Sequence, residues 1–156
     1  MLRARQEARF HAARLPSRSV ANEERRGATP RTPPLELITR RLCLIKDTGH
    51  AGVLWGGNMM AWVDEAGAIY AGRQVENRYM VTKAFTEIDF QSRVVPGDMV
   101  SFYGRVSRWG TTSLSIDLRV TAAHPSESEE REVLSVTGVF VAIDADGKKE
   151  QIRPRR

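Results

Sequence analysis

The pattern of apolar and polar positions along this chain changes from irregular to extended and then to helical. Residues 1–34 have no sustained apolar periodicity and end in the proline-rich run Thr29-Pro30-Arg31-Thr32-Pro33-Pro34, which predicts a disordered or loosely attached extension. We therefore expect the folded domain to comprise residues 35–156. Its first segment, from Leu37 to Ile45, favours an extended strand, which the turn residues Lys46-Asp47-Thr48-Gly49 interrupt.

A helical period begins near Gly57 and continues to about Arg73. Met60, Val63, Gly67 and Tyr70 recur at spacings of three and four, which is typical of an α-helix. Alanines occupy much of the remaining surface of this helix, so we expect it to be apolar on most sides and buried. Its small side chains would allow a sheet to curl closely around it.

Four strand-like segments follow the helix: Met80–Phe90, Met99–Trp109, Ser113–Ala123 and Glu132–Ile143. They are enriched in β-branched and aromatic residues, and several alternate between polar and apolar positions. Turn-forming residues separate them at Pro96-Gly97-Asp98, Gly110-Thr111-Thr112 and Pro125–Glu130. The element order β-α-β-β-β-β predicts an α+β fold in which an antiparallel sheet wraps around one long central helix. One helix would cover only one face of such a sheet and leave its edge strands open, and pairing with a second copy would resolve both, which favours a homodimer.

Charge and cysteine content limit the possible functions. The chain has 156 residues and a formal charge of +5, but residues 1–34 contain eight arginines against three glutamates and the remainder is neutral. We therefore do not expect nucleic acid to be a partner. One cysteine, Cys43, and the absence of any clustered metal-ligand spacing favour a reducing, cytoplasmic location and no metal site. No apolar run is long enough to span a membrane. The arginine-rich segment Met1–Ser19 leaves the mitochondrial matrix open as an alternative.

Two glycines at the predicted helix start are the first candidates for chemistry. The N–H groups in the first turn of a helix lack partners within the helix and lie in positive potential. Gly56 and Gly57 would leave these N–H groups accessible to a carbonyl oxygen, as an oxyanion hole requires. The alternative is that the Gly-Gly pair only eases a tight turn.

Asp64 lies about two turns into this apolar helix, on the same side as Met60 and Gly67. A carboxylate in such surroundings could serve as a general base or as a nucleophile, or it could be hydrogen-bonded into a dimer contact. The neighbouring Glu65 would lie on the surface or at an interface. His50, in the loop before the helix, could pair with Asp64 as an acid or base, or could be an ordinary polar loop residue.

Five groups of motifs follow one another between Leu35 and Pro154. They are Asp47-Thr48 with Gly52, Leu54-Trp55-Gly56-Gly57 and Trp62–Ile69; Val81-Thr82 with Ile88-Asp89-Phe90; Pro96–Val100; Gly110–Ser113; and Phe140–Asp144 with Gly147-Lys148. In this order the chain resembles the acyl-CoA thioester hydrolases of the hot-dog fold, in particular the bacterial broad-range acyl-CoA thioesterases. The resemblance implies a role in lipid metabolism: hydrolysis of fatty acyl-CoA to free acid and CoA, in an active site shared across a dimer interface.

The resemblance also implies roles for individual residues. Asp64 would be the catalytic carboxylate, and the N–H of Gly57 would polarise the thioester carbonyl. The positions assigned to substrate binding are Gly56, His50, Asn58, Thr82, Gly110, Thr111, Thr112 and Ser113. The resemblance implies no metal or redox cofactor, since coenzyme A is part of the substrate. Dimers in this family commonly assemble into hexamers.

The chain departs from the family at Gly49. An asparagine usually follows the Asp-Thr pair there and helps to position the thioester or the water from across the interface. Two alternatives therefore stay open: a non-catalytic protein that binds acyl thioesters, and a 3-hydroxyacyl-thioester dehydratase that uses His50 and Asp64.

Overall fold

One long helix lies against one face of a five-stranded antiparallel sheet in the part of the chain that the computed structural model describes, residues 33–77 and 79–155. The elements are β1 (Glu36–Leu42), a short 3-10 turn (Ile45–Asp47), α1 (Gly56–Gln74), β2 (Tyr79–Phe90), β3 (Met99–Trp109), β4 (Ser113–Ala123) and β5 (Arg131–Ile143). The predicted order β-α-β-β-β-β is confirmed. The predicted extension and its presequence-like segment, residues 1–32, lie outside the described residues.

The sheet has the strand order β1-β3-β4-β5-β2, so β1 and β2 form its two edges. Its two faces differ in chemistry because successive side chains of a strand point to opposite sides. Towards the helix, buried apolar residues such as Phe102, Val120 and Leu134 face one another across β3, β4 and β5. The outer face has polar rows instead, such as Arg105, Asp117 and Thr137. Only the inner face therefore contributes to an apolar core.

Small residues let the helix approach the sheet closely, as the sequence predicts. Helix α1 contacts all five strands. A Cβ at Gly67 would lie 2.4 Å from Cζ of Phe140, and a Cβ at Gly104 would lie 2.8 Å from Cδ1 of Ile38. Neither position has room for a larger residue without movement of the neighbouring side chain.

The helix is less buried than its sequence predicts. Met59, Trp62, Val63, Ala66 and Tyr70 are buried against the sheet, whereas Ala61, Glu65 and Ile69 on the opposite side are exposed, and Glu65 pairs with Arg41. The expectation of burial on most sides is wrong for one chain, because a single sheet covers only one side of a helix. The uncovered side is where a second molecule could pack.

The first strand also ends earlier than predicted. Instead of continuing to Ile45, it ends at Leu42, and Ile45–Asp47 form a 3-10 turn. Asp47 closes this turn, because its carboxylate accepts a hydrogen bond of 2.9 Å from the N–H of Leu44. An acidic side chain that bonds to a nearby backbone N–H competes with the extended conformation, and composition alone did not reveal it.

A buried ion pair supports the segment that leads from β2 into β3. Asp98 is fully buried, and its Oδ2 accepts hydrogen bonds from the N–H of Val95 and from the guanidinium of Arg131. Arg131 also donates to the carbonyl of Arg93. Between these points, the carbonyl of Val94 accepts a hydrogen bond of 2.8 Å from the N–H of Leu54. The segment that joins β2 to β3 therefore holds the backbone of Leu54, two residues before the start of α1.

Candidate active site

Helix α1 begins without a side-chain cap. Trp55 occupies the N-cap position and makes no capping hydrogen bond, and the first turn contains no acidic residue. The first hydrogen bond of the helix runs from the N–H of Met59 to the carbonyl of Trp55, at 3.0 Å. The preceding N–H groups, of Gly56, Gly57 and Asn58, have no acceptor among the described residues. Helices normally place Ser, Thr, Asp or Asn at the N-cap to satisfy these donors, so this start is open to an anionic or carbonyl oxygen.

Two aromatic rings flank the paired glycines. A Cβ on Gly57 would lie 2.9 Å from Cζ3 of Trp55, and a Cβ on Gly56 would lie 3.8 Å from Cζ of Phe90. Glycine is thus the only residue that fits at position 57 while the indole of Trp55 keeps its present position. Both rings are large apolar groups left in water, with Trp55 64% and Phe90 53% exposed. The spacing of residues does not predict these contacts, although an aromatic residue directly before a Gly-Gly pair is a usable signal for Trp55.

A bulge in β2 directs Phe90 towards the helix. The pairing of β2 with β5 shifts between Thr86 and Asp89, so that one extra residue is inserted into β2. Glu87, within the bulge, has φ of 55°, a left-handed conformation that costs a non-glycine residue about 1–2 kcal/mol. This local cost accompanies the placement of an aromatic ring beside Gly56.

Asp64 and Thr82, both predicted site residues, are in contact. The hydroxyl of Thr82 on β2 donates a hydrogen bond to Oδ1 of Asp64 on α1, and both residues are half-buried. Thr82 points towards the helix because its pairing partner on β5 is Phe140, a core residue. The second carboxylate oxygen, Oδ2, has no hydrogen-bond partner among the described residues. The carboxylate is therefore oriented through one oxygen and available through the other.

The loop before the helix contributes its backbone more than its side chains. Gly49 donates its N–H to the carbonyl of Val53 at 2.9 Å, and Thr48 and Leu54 form a β-bridge. His50 is exposed and makes no hydrogen bond to any described residue, Asp64 included. Asn58 donates from its side-chain Nδ2 to the carbonyl of Asp47 at 2.9 Å. The structure thus joins Asp64 with Thr82 and Asn58 with the loop, but it does not pair His50 with Asp64.

The turn at Gly110–Ser113 lies away from Asp64 in the same chain. Leu114 pairs with Phe140, which pairs with Thr82, so the turn is two strands from Thr82, roughly 10 Å. The carbonyls of Thr111 and Thr112 accept hydrogen bonds from the N–H groups of Ile152 and Ala142, each at 2.9 Å. The bond to Ile152 holds the C-terminal segment and the bond to Ala142 extends the pairing of β4 with β5. A contact with substrate would therefore be made by the side chains of this turn.

Two hollows lie near the elements of interest. One, of about 420 Å³, borders the helix start and is lined by Leu54, Gly56, Phe90, Gln91, Ser92 and Arg93. A second, of about 560 Å³, lies on the outer face of the sheet between the ion pairs Arg105–Asp117 and Arg119–Glu132. In the outer hollow, Arg105, Asp117, Arg119 and Glu132 are already paired, so the hollow at the helix start is the better candidate for a substrate. Within residues 33–77 and 79–155 no group of three or more His, Cys, Asp or Glu could hold a metal ion.

The lone thiol is not part of this chemistry. Cys43 is fully buried, and burial, with smaller contributions from the charges of Asp47 and Asp98, raises the pKa of its thiol. A thiol that resists ionisation is a poor nucleophile.

A five-stranded antiparallel sheet packed against one long helix is the architecture of a hot-dog protein. The chain belongs to the Thioesterase superfamily, whose model matches residues 51–129. It is similar to the acyl-CoA thioester hydrolase YciA of Salmonella typhimurium, with 34% identity over 121 residues that cover 75% of this chain and 90% of YciA. The predicted family and fold are confirmed.

Solved structures of thioesterases share this fold. The hexameric thioesterase y2039 from Yersinia pestis superposes with a TM-score of 0.70 at 29% identity, covering 80% of this chain and 98% of y2039. Cj0915 of Campylobacter jejuni, a hexameric hotdog fold thioesterase, superposes with a TM-score of 0.69 at 32% identity, covering 75% of this chain and 90% of that protein. No helix among the described residues is long and apolar enough to cross a membrane.

Proposed function

We propose that this protein is an enzyme that hydrolyses acyl-CoA thioesters to the free acid and CoA. The hydrogen bond from Thr82 to Asp64 carries the proposal, because it orients a half-buried carboxylate on the helix whose first N–H groups are open. The similarity to acyl-CoA thioester hydrolases supports the choice of CoA thioesters as the substrate class.

In the proposed mechanism, the N–H of Gly57 donates to the thioester carbonyl oxygen and stabilises the negative charge that develops there. Asp64 takes a proton from water while the water oxygen bonds to the carbonyl carbon. The C–S bond then breaks, and the proton passes to the CoA sulfur, which leaves as the thiol. Thr82 keeps Oδ1 of Asp64 fixed, so that Oδ2 receives the proton. The proposed mechanism needs no metal or redox cofactor, since CoA enters as part of the substrate.

In this proposal a second copy of the chain completes the site. Asp64 lies seven positions after Gly57 in α1, a rise of roughly 10 Å, so one chain presents its carboxylate and its open helix start about two turns apart. We propose that Gly57 of one chain works with Asp64 of another in a dimer. The exposed ridge of Ala61, Glu65 and Ile69 and the open edge at β2 would be covered by this pairing. The hexameric relatives support further assembly of such dimers.

The test is release of free CoA thiol from a series of acyl-CoAs, from acetyl to palmitoyl, by the wild type and by Asp64→Asn. An amide cannot accept the proton, so we expect turnover to fall by about 10²–10⁴-fold. Asp146→Asn is the matched control, because it makes the same change at an exposed carboxylate in the turn after β5; it should keep wild-type turnover. Buried Cys43 should not react with the thiol reagent in the native protein.

Equal turnover by Asp64→Asn and wild type would remove Asp64 from the mechanism. No thiol release from any acyl-CoA by the wild type would favour the second candidate, a protein that binds acyl thioesters without hydrolysing them. This candidate rests on Gly49, which offers no side chain at the position where the family resemblance implies an asparagine.

A further inference from the structure

Asn58 makes an unusual connection between the helix start and the loop before it. It lies in the first turn of α1, where its own N–H is among the three without an acceptor in the described part of the chain. Its side chain turns back instead and donates from Nδ2 to the carbonyl of Asp47, at 2.9 Å. The same carbonyl also accepts the N–H of Trp55, at 3.2 Å. Two donors from the helix start thus meet at one oxygen of the loop.

The turn between these two donors is intrinsically loose. Gly56 and Gly57 separate Trp55 from Asn58, and glycine has the greatest backbone freedom of any residue. The N-cap side chain makes no hydrogen bond that would fix the turn. The position of the Gly57 N–H therefore depends on what fixes the residues on either side. Trp55 is fixed by its own N–H, and Asn58 is fixed by its amide.

The loop that receives these bonds is itself held in place. Thr48 and Leu54 form a bridge, and Gly49 donates to Val53 at 2.9 Å. The carboxylate of Asp47 accepts the N–H of Leu44, which ties Asp47 to the end of β1. Asp47 is thus held in place by its neighbours, and a hydrogen bond to its carbonyl restricts the movement of the helix start.

We propose that Asn58 is a positioning residue, whose amide fastens the Gly56-Gly57 turn to the loop and so holds the Gly57 N–H in line with the thioester carbonyl. This inference rests on the proposed function and assigns Asn58 no contact with substrate, in place of the substrate-binding role that the family resemblance implies. Misplacement of a catalytic donor by about 1 Å can cost up to about 10²-fold in rate, so a single hydrogen bond at this point has a measurable effect.

The decisive variant is Asn58→Asp. Aspartate has nearly the same shape, and an acidic residue in the first turn of a helix is favourable, so the fold should be retained. A carboxylate cannot donate to the Asp47 carbonyl and repels it. We expect kcat to fall by about 10–100-fold while KM for acyl-CoA changes less than twofold.

Two further variants separate positioning from other roles. Asn58→Leu also lacks the donor but carries no charge, so it should lose as much in kcat as Asn58→Asp. Asn58→Gln keeps the amide on a longer arm, so it should recover most of the wild-type kcat. If the role of Asn58 were purely structural, the variants would rank in the same order by melting temperature as by kcat. We expect instead that Asn58→Asp and the wild type have the same melting temperature.

Wild-type kcat in either variant without the donor would overturn the proposal. A raised KM with unchanged kcat would also overturn it, because that result indicates a contact with bound substrate. If Asn58→Asp does not fold, Asn58→Leu and Asn58→Gln decide between the same outcomes. Failure of the proposed function would be seen separately, as absence of thiol release by the wild type or full activity of Asp64→Asn.

Discussion

Two glycines of the candidate site differ in the space around them. A Cβ at Gly57 would lie 2.9 Å from the ring of Trp55, so the close approach of the indole requires glycine there. A Cβ at Gly49 would meet nothing closer than Cδ1 of Trp55, at 3.9 Å, and Gly49 is not among the glycines with positive φ. Position 49 can therefore accept a side chain, and the missing asparagine is a matter of chemistry rather than of space.

Gly49→Asn is expected to raise turnover. The substitution supplies an amide where related enzymes are expected to have one, and a single hydrogen-bond donor at a developing charge is worth about 10²–10³-fold in rate. An increase in kcat of about tenfold or more, with an unchanged melting temperature, would bear this out in the thiol-release assay.

Gly49→Ala is the control for this prediction, because it adds the Cβ without the amide. An equal increase in both variants would mean that stiffening of the loop, and not the amide, was responsible. No increase in Gly49→Asn would mean that the chain has replaced the usual asparagine with another group.

At this scale the sequence allowed prediction of single residues better than of their contacts. Asp64 and the Gly56-Gly57 pair could be found from their place in an apolar helix, and Thr82 from the family resemblance. The rings of Trp55 and Phe90 could not be placed, because Phe90 reaches Gly56 only through the bulge at Glu87. The contact of Asn58 with the Asp47 carbonyl is likewise between a side chain and a backbone atom, which residue spacing does not encode.

The helix and strands could be predicted almost to their ends. Predicted Met99–Trp109 and Ser113–Ala123 match β3 and β4, and α1 begins one residue before its predicted start. Strong periodicity and clear turn residues account for this agreement. The first strand was overextended because Asp47 closes a turn through its side chain, and the bulges of β2 leave no mark in composition.

A pair of glycines in α1 tests how tightly the helix packs on the sheet. A Cβ at Gly67 would lie 2.4 Å from Phe140, whereas a Cβ at Gly72 would meet nothing within 4 Å. Gly67→Ala should therefore lower the free energy of unfolding by about 1–3 kcal/mol through overpacking. Gly72→Ala should raise it by about 0.5–1 kcal/mol, because alanine favours the helix.

Both changes can be measured by urea unfolding of the two variants beside the wild type. Both substitutions replace glycine by alanine in the same helix, so the contribution of helix propensity cancels in the difference between their free energies of unfolding. The remaining difference reports on packing. Similar stability of Gly67→Ala and Gly72→Ala would mean that Phe140 moves aside without cost, and that the close approach is not a constraint.

For the whole molecule, the proposed mechanism implies that one chain holds two halves of different sites. The rise of roughly 10 Å between Gly57 and Asp64 along α1 follows from their spacing in the sequence. Whether the two residues act in one site or in two depends on how two copies of the chain pack together. The sequence predicted open sheet edges and a sheet covered by a helix on one face only, and the described part of the chain has both. The dimer itself and the cytoplasmic location stay predictions.

Mixing of two inactive chains tests the shared site. An Asp64→Asn chain keeps Gly57, and a Gly57→Ala chain, whose helix start must shift away from Trp55, keeps Asp64. Random pairing at equal amounts should restore roughly a quarter of wild-type activity, since half of the dimers are mixed and each has one intact site of two. The measurement is thiol release after the two variants are refolded together from denaturant.

Refolding each variant alone is the control and should restore nothing. If mixed dimers are recovered with two different affinity tags and remain inactive, Gly57 and Asp64 act within one chain, and the second copy has another role.

The bulge at Glu87 limits which changes of length this protein can accept over evolutionary time. Because side chains alternate along a strand, one residue inserted between the bulge and Phe90 would turn Phe90 away from Gly56 and expose the helix start on that side. In the exposed connection between β4 and β5, Glu127 pairs with Arg131 and Glu130 accepts a hydrogen bond from Thr121, which leaves Ser128 and Glu129 as the least constrained positions. Insertions should therefore accumulate in descendants of this chain at 128–129, while no residue is added between the bulge and Phe90.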